Sequence, residues 1–421
     1  MLFVKITIYH SFHYFFITLF EMSYSIGIDF GTYFSSFCLY NNGKFWEFYN
    51  GEDSIASYIE YRNNNIVVGE PVRRLFFHQG RFAVRNIKKV IGLPCNNDFV
   101  RENPDICNMP MSRAEDGTIQ FLDKNTGKVY TTIEIMALLI KAIIGKVQEL
   151  TNSDVDRVVL TVPIEFGIQQ RIAYERALHD AGFDDNQYRL LNEPTAAAIS
   201  ALYHDIKQDE NFIVIDIASS CRCTVFQFKN NHLRIVSHDN LNTVSVDSFI
   251  HLLLKFVIHK CEEMEYFILP DPSYPSYKRK FYRLYDMCQQ AMMSLSDYYE
   301  CEIDLFDLLD DDDDIFCSVS KNEFEEILRE SIDMMIRFIN DTISKANLTK
   351  DDISHVVLCG GASRIPIITT SIKEYFGKYI ILPRNPDKMV AEGAAIVSGQ
   401  WKERPSKHTL SINNQEIYID E

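Results

Sequence analysis

The spacing of apolar residues alternates between the two-residue period of β-strands and the longer period of α-helices. Residues 25–40 predict a strand, a tight turn and a second strand, and residues 212–228 repeat this pattern. A helix with an apolar stripe over 131–150 begins at Thr131 and Glu134, the pair expected of a capping box. The remaining predicted elements are strands at 57–61, 66–68, 156–163 and 189–191, helices at 169–181, 196–202, 274–296 and 321–346, and a strand, glycine turn and helix start over 351–366.

Two segments of the first half recur in the second half. Ile26–Gly31 has a counterpart in Ile213–Ala218, and Asp156–Leu160 has one in Ile353–Leu358. Because both segments recur at about half the chain length, the sequence predicts two similar α/β lobes. A deep cleft between two such lobes is a natural ligand site.

The overall composition limits the classes of partner. The chain has 421 residues, 46% of them hydrophobic, which suffices for a large core in more than one lobe. Its 42 basic and 59 acidic residues give a net charge of −17, and such a surface repels phosphate backbones. We therefore expect no nucleic acid partner.

The ten cysteines include no CxxC pair, and a chain of this length needs no disulfide staples. This usage is typical of reduced thiols in the cytoplasm. Cys221 and Cys223 flank Arg222 and would be either two thiols on a hairpin or half of a metal site. The lack of a second ligand pair in the sequence favours the thiols.

The first 22 residues form an apolar, aromatic leader with Lys5 near its start. It would be a signal sequence or anchor, which leaves a secretory or anchored form open, or an artefact before a true start at Met22. Polar interruptions and a missing small-residue cleavage site disfavour targeting, so we do not expect membrane association. The predicted domains are the leader at 1–22, lobe I at 23–205, lobe II at 206–401 with a closing segment near 385–396 that returns to the lobe junction, and a tail at 402–421.

An aspartate that ends a strand and precedes a glycine turn has a clear chemical use. The N–H groups of the turn contact phosphate oxygens, glycine permits close approach, and the carboxylate holds hydrated Mg²⁺ through water. Asp29, Gly31, Thr32 and Tyr33 fit this arrangement. An Asp-x-Gly sequence alone is more often a simple hairpin.

Six motifs place this turn in a wider context. In chain order they are Gly27–Thr32, Ile87–Gly92, Thr161–Pro163 with Gln170 and Arg171, Leu191–Ala198, Gly360–Pro366, and Asn385–Asp387 with Glu392–Ala395. Over about 25–401 the sequence resembles the nucleotide-binding half of the seventy-kilodalton heat-shock chaperones. The resemblance implies an actin-like ATPase fold, two similar lobes around a nucleotide cleft, and ATP or ADP with Mg²⁺ as ligands.

The resemblance assigns candidate catalytic roles to four residues. Asp29 and Asp216 would hold Mg²⁺ through water, and Lys88 would neutralise the γ-phosphate and help place the attacking water. Glu193 would lie near the water shell of the metal. A lone lysine is more often at the surface, and a glutamate before Pro194 also suits the start of a helix.

The resemblance also assigns nucleotide contacts. Thr32 and Tyr33 would donate to phosphates. Gly360, Gly361 and Arg364 would flank the adenosine, with Arg364 stacked on the purine, although a Gly-Gly pair alone is more often only a turn. Asp387 at the lobe junction would equally serve as a helix cap. The complete set of candidate nucleotide-binding residues is Gly31, Thr32, Tyr33, Gly360, Gly361, Ser363, Arg364, Ser296 and Asp387.

The second half departs from the family pattern in its second hairpin, in a later glycine pair and in the helix expected beside the adenine. The replacing residues are Ala218, Ser219, Ser220, Cys221, Cys223, Ser245, Val246, Gln289, Met292 and Met293. Since hydrolysis needs phosphate, metal and water held together, we expect weakened binding and slow hydrolysis at best. Arg222 would partly compensate by placing a cation near the phosphates.

These features favour an ATP-binding protein of the heat-shock type with slow or impaired hydrolysis and a role in chaperone-assisted folding. The alternatives are a non-enzymatic pseudo-ATPase that binds J-domain cochaperones or exchange factors, and a truncated copy with little function. Phe166–Ile168 replaces a polar pair of the family and weakens the case for ordinary J-domain coupling. Asn192–Ala198 and Gly360–Pro366 disfavour a sugar kinase. Because the tail leaves no room for a peptide-binding domain, we expect no direct peptide client of this chain alone.

Overall fold

The computed structural model of the chain describes residues 24–41, 44–46, 52–62, 65–79, 83–104, 106–107, 109–122, 127–204, 209–309, 315–377, 380–383, 385–400, 409–412 and 415–420. Three sequence predictions lie outside these residues. They are the leader at 1–22, the boundary between the lobes at 205 and 206, and the first part of the tail at 402–408.

The strands follow the predicted pattern and add several short ones. They are β1 (Tyr24–Asp29), β2 (Phe34–Asn41), β3 (Lys44–Phe45), β4 (Ser54–Ala56), β5 (Ile59–Arg62), β6 (Asn65–Val68), β7 (Met111–Arg113), β8 (Ile119–Leu122), β9 (Val129–Thr131), β10 (Val155–Val162), β11 (Tyr188–Asn192), β12 (Glu210–Ile217), β13 (Cys221–Lys229), β14 (His232–Leu241), β15 (Glu300–Asp304), β16 (Phe316–Ser320), β17 (His355–Cys359), β18 (Ile380–Ile381), β19 (Thr409–Ile412) and β20 (Gln415–Asp420).

The helices confirm the α/β class. They are α1 (Glu70–Gln79), α2 (Ile87–Val90), α3 (Asp98–Glu102), α4 (Thr132–Thr151), α5 (Ile168–Ala181), α6 (Glu193–His204), α7 (Val246–Glu263), α8 (Tyr277–Asp297), α9 (Lys321–Lys345), α10 (Pro366–Phe376) and α11 (Met389–Gln400). Among the helices that the structure describes, none is both long and apolar enough to cross a bilayer.

Contacts divide the chain into two compact units. The first contains the described residues within 24–57, 86–193 and 391–400, and the second contains those within 58–85, 194–390 and 409–420.

The central sheet of the first unit has the order β11-β10-β1-β2-β3, with β4 paired to β2. Strands β10 and β11 extend it in parallel from β1, whereas β2 is antiparallel to β1. The centre of β10, Val158–Leu160, is a continuous apolar run, as expected where both faces of a parallel sheet are covered. Ile26, Ile28, Val158 and Leu160 are all fully buried.

The central sheet of the second unit has the order β18-β17-β12-β13-β14-β20-β19. Strands β17 and β18 extend it in parallel from β12, and β13 is antiparallel to both β12 and β14. The run β18-β17-β12-β13-β14 therefore has the same order of parallel and antiparallel pairs as β11-β10-β1-β2-β3. This duplicated topology confirms the internal repeat predicted from the sequence.

Helix α4 shows how local sequence sets the bounds of an element. The N–H of Thr131 donates to Glu134 Oε2 at 2.7 Å, and the N–H of Glu134 donates to Thr131 Oγ1 at 3.2 Å, which completes the predicted capping box. Its apolar stripe, which includes Leu139 and Ile143, is buried in the first unit. The helix ends at Asn152, which adopts a left-handed conformation.

In the second unit, an aromatic and arginine cluster fastens α1 to α8. The rings of Phe77 and Tyr285 stack with centroids 6.0 Å apart, and Arg85 lies over the ring of Phe76 at 5.1 Å. Arg73 Nη1 reaches Asp286 Oδ1 at 2.9 Å. Sequence periodicity did not indicate this cluster, because its members lie on separate elements.

Gly27 in β1 supports a stability test in the first unit. A Cβ there would lie 2.1 Å from the backbone nitrogen of Ala395 and 2.5 Å from the carbonyl oxygen of Ala391, both in α11. We expect Gly27→Ala to lower the free energy of unfolding by ~1–3 kcal/mol or more, since backbone atoms of α11 would have to move. Urea denaturation followed by circular dichroism measures the change.

Gly145 provides the matched control inside α4. A Cβ at Gly145 would meet no atom within 4 Å. Because alanine is the better helix former, Gly145→Ala should raise stability by ~0.5–1 kcal/mol. Equal effects of the two substitutions would show that β1 does not approach α11 this closely.

Candidate functional site

The first hairpin forms where β1 ends. Asp29 is the last residue of β1, and its Oδ1 accepts a hydrogen bond of 3.2 Å from the hydroxyl of Thr161 in β10. Gly31 permits the turn, because a Cβ at this position would lie 1.8 Å from the carbonyl oxygen of Phe34. Asp29, Gly31 and Thr161 thus meet at the carboxyl ends of two neighbouring parallel strands, where ligands commonly bind in α/β sheets.

Two predicted phosphate donors follow directly in this turn. Thr32 is buried and Tyr33 is half-buried, and the ammonium of Lys89 lies 5.8 Å from the centre of the Tyr33 ring. The carbonyl oxygen of Tyr33 accepts from the N–H of Ser57 at 2.8 Å, which ties the turn to the chain before β5.

Lys88 is not the surface lysine of the alternative interpretation. It lies on the single-turn helix α2, which follows Asn86 in a left-handed conformation with φ of 59°. Its Nζ is 2.5 Å from Glu193 Oε1, and the two side chains are only 7% and 4% exposed. Glu193 opens α6 before Pro194, so its carboxylate also lies at the positive end of a helix dipole.

The second hairpin has a different charge arrangement. Asp216 in β12 and Arg222 in β13 are direct cross-strand partners, and Arg222 Nη1 lies 3.2 Å from Asp216 Oδ2. Both side chains are largely buried, with 17% of Asp216 and 11% of Arg222 exposed. Arg222 therefore neutralises the aspartate that the sequence predicted as a metal contact.

The turn of the second hairpin closes without glycine. The N–H of Ala218 donates to the carbonyl oxygen of Ser220 at 3.0 Å, and neither residue has a positive φ. The N–H of Val246 at the start of α7 donates to the carbonyl oxygen of Ala218 at 2.8 Å. Ser245 caps α7 through its hydroxyl. The residues that replace the glycines thus connect the hairpin to a helix.

Cys221 and Cys223 are buried on the face of β13 opposite Arg222. Burial raises the pKa of the Cys221 thiol, and the charge of Asp216 raises it further. Burial also raises the pKa of Cys223 well above its usual value. Because a metal binds the thiolate, protonated buried thiols are poor ligands. In the described part of the chain, no group of three or more His, Cys, Asp or Glu side chains is arranged to hold a metal.

The glycine turn after β17 lies against the second hairpin. Gly360 has a φ of +82°, and a Cβ there would lie 2.4 Å from Asp216 Oδ1. The hydroxyl of Ser363 donates to the carbonyl oxygen of Gly360 at 2.7 Å. A Cβ on Gly361 would meet nothing within 4 Å. The fold therefore requires glycine at 360 but not at 361.

The two charged candidates near this turn bind each other. Arg364 Nη2 donates to the carboxylate of Asp387, and both side chains are about half exposed. Asp387 is thus engaged by Arg364 just before α11 begins at Met389.

The helix expected beside the adenine is α8. The hydroxyl of Ser296 donates to the carbonyl oxygen of Met292 one turn earlier, at 3.1 Å. Met292 is buried, whereas 64% of Met293 is exposed. One methionine therefore packs in the core while its neighbour faces solvent.

The structure distributes the candidate residues over the two units. Asp29, Gly31, Thr32, Tyr33, Lys88 and Glu193 belong to the first unit, and Asp216, Ser296, Gly360, Gly361, Ser363, Arg364 and Asp387 belong to the second. Sequence reasoning missed the contact of Thr161 with Asp29. A threonine near the end of a buried strand, just before Pro163, was the available signal.

Comparison with known families gives a match over most of the chain. Residues 25–411 match the model of the Hsp70 protein family. The matched range contains every candidate site residue named above.

The Lys88–Glu193 pair allows a test of burial. We expect Lys88→Met to lower the free energy of unfolding by ~3–5 kcal/mol, because it leaves the Glu193 carboxylate buried without its cation. The double variant Lys88→Met with Glu193→Leu should recover most of this loss, since it removes both charges. Urea denaturation of the two variants and the wild type measures the difference.

The exposed pair of Arg329 and Glu326 in α9 is the control. Arg329 Nη2 and Glu326 Oε2 are 2.7 Å apart, but the two side chains are 66% and 67% exposed. Arg329→Ala should cost less than ~1 kcal/mol. If Lys88→Met costs no more than Arg329→Ala, the buried pair is not formed in solution.

Proposed function

The chain belongs to the Hsp70 family, and we propose that it binds ATP or ADP as a chaperone-type nucleotide-binding domain that hydrolyses ATP slowly. The family has the actin-like ATPase fold predicted from the sequence, and the α/β architecture with its duplicated sheet agrees with it. The candidate residues assigned from the sequence remain our proposal for the binding site.

The observation that carries the proposal is the buried pair of Lys88 and Glu193. Burying two charges is costly, and apolar residues of similar size often stabilise a fold equally well. Because a buried ion pair is weak evidence of a stabilising role, the burial of Lys88 supports a functional role for it. We propose that Lys88 neutralises the terminal phosphate and that Glu193 holds the ammonium in place until nucleotide binds.

Mg²⁺ fits the two hairpins unequally. When bound, the metal would neutralise developing charge on the phosphates. Asp29 is half-buried beside the Thr161 hydroxyl, an arrangement that suits a contact through water. Asp216 faces the Arg222 guanidinium, which supplies the positive charge that a metal would bring. The second hairpin therefore does not fit the metal, and we assign none to it.

Slow hydrolysis follows from the same hairpin. Cys223, at the position where the resemblance implies a second acid, is fully buried with a raised thiol pKa. It neither orients water nor contributes negative charge at neutral pH. Small misplacements of reacting groups cost large factors in rate. We therefore propose that this chain retains nucleotide binding but hydrolyses ATP slowly.

A non-enzymatic pseudo-ATPase is the second candidate, and the Asp216–Arg222 pair favours it. Such a protein would bind J-domain cochaperones or exchange factors and regulate chaperone-assisted folding in the stress response. The ten cysteines are all free, which supports a reducing compartment, and we propose a cytoplasmic location.

Titration calorimetry and single-turnover kinetics separate the two candidates. We expect MgATP to bind with a Kd tighter than ~100 μM, and flat heats at high protein concentration would refute nucleotide binding. In a single-turnover assay, an enzyme should lose at least ~100-fold in rate on Lys88→Ala, because the cation on the phosphate is removed. Equal background rates for the wild type and Lys88→Ala would leave the pseudo-ATPase.

The glycine turn supports a further binding test. Gly361→Ala should leave the melting temperature nearly unchanged, since its Cβ meets no protein atom within 4 Å. If the turn lies against the nucleotide, the added methyl should weaken ATP binding by about tenfold, as a misfit of ~1.4 kcal/mol does. Unchanged ATP affinity in Gly361→Ala would place the nucleotide elsewhere.

Gly360→Ala is the matched comparison for this turn. It should destabilise the fold itself, because Gly360 has a positive φ and its Cβ would collide with Asp216. Thermal unfolding separates the two substitutions, with a large loss expected only for Gly360→Ala.

A further inference from the structure

The guanidinium of Arg222 lies where a cation on Asp216 would be expected. We infer that Arg222 takes the place of a divalent cation at the second hairpin, so that nucleotide binding to this chain does not require Mg²⁺. The inference rests on the proposed nucleotide binding.

Strand register fixes this arrangement. In the β12–β13 hairpin, Ile217 pairs with Cys221 and Asp216 pairs with Arg222, so the two charged side chains project from the same face of the sheet. Cys221 and Cys223 point to the opposite face and are fully buried. The packed hairpin therefore holds the Cα atoms of Arg222 and Asp216 opposite each other.

Both carboxylate oxygens of Asp216 face protein groups. Oδ2 accepts from Arg222 Nη1 at 3.2 Å, and Oδ1 lies so close to Gly360 that a Cβ there would be 2.4 Å away. Magnesium requires near-ideal octahedral geometry and retains several waters. A carboxylate enclosed by a guanidinium and a glycine backbone is a poor anchor for that water shell.

Charge explains why a nucleotide would bind here without metal. A bare carboxylate repels the polyphosphate, and a divalent cation normally screens that repulsion. In this hairpin Asp216 and Arg222 together carry no net charge. The anionic end of the nucleotide therefore meets a neutral pair, although the chain as a whole carries a charge of −17.

The test is calorimetric titration of the full chain with ATP, in excess Mg²⁺ and in excess EDTA. We expect the two Kd values to agree within about threefold, which is less than ~1 kcal/mol. Binding that weakens by about 30-fold or more in EDTA would overturn the inference while leaving nucleotide binding intact. Absence of binding in both conditions would overturn the proposed function and the inference together.

Two variants test the role of the charge. Arg222→Gln leaves the Asp216 charge alone, so ATP binding in EDTA should weaken by about tenfold or more and Mg²⁺ should restore most of it. The double variant Asp216→Asn with Arg222→Gln is again a neutral pair of similar size. It should bind ATP equally with and without Mg²⁺, as the wild type does.

The double variant also guards against misfolding. If Arg222→Gln loses its cooperative thermal transition, the neutral pair and the wild type in EDTA still decide the question. A Mg²⁺ requirement in the double variant would show that Arg222 does not act through the charge of Asp216, and would overturn the inference.

Discussion

A charged side chain that leaves water needs a partner of opposite charge, and this constraint accounts for a buried ion pair in each unit. Lys88 with Glu193 joins α2 to α6, and Arg73 with Asp286 joins α1 to α8. Strand hydrogen bonds hold each sheet together but do not reach these helices. The buried ion pairs help to position the helices, together with the aromatic contacts between α1 and α8.

The same constraint separates the two hairpins chemically. In the first hairpin, Asp29 Oδ1 accepts a hydrogen bond from the neutral hydroxyl of Thr161. In the second hairpin, the equivalent aspartate, Asp216, forms an ion pair with Arg222 of the same hairpin. One fold repeated twice in one chain thus carries two electrostatic environments. The family determines the fold of the chain, and single side chains at the strand ends determine what each hairpin can bind.

Much of the frame could be predicted from the sequence, because its signals are local. The capping box at Thr131 and the apolar stripe behind it place α4 within a residue of its observed bounds. The repeat of Ile26–Gly31 in Ile213–Ala218 anticipated the duplicated sheet order. The pairing of β15 with β16 was not predicted, because β15 is only five residues long, although Cys301 and Ile303 alternate with acidic residues in it.

The candidate site divides in the same way. Motifs identified Asp29, Lys88 and Glu193, but the contact between Lys88 and Glu193 depends on tertiary packing that no spacing reveals. The Asp216–Arg222 pair was within reach of the sequence. The two residues stand symmetrically about the three-residue turn of a hairpin, so strand register alone would have paired them.

The parallel pairing of β14 with β20 bears on how the protein is made. His232 in β14 pairs with Tyr418 in β20, so one edge of the second sheet stays open until the segment around Tyr418 has been synthesised. Open strand edges recruit other chains, and pairings between distant segments form slowly. We expect that this member of the Hsp70 family itself requires protection from aggregation during translation.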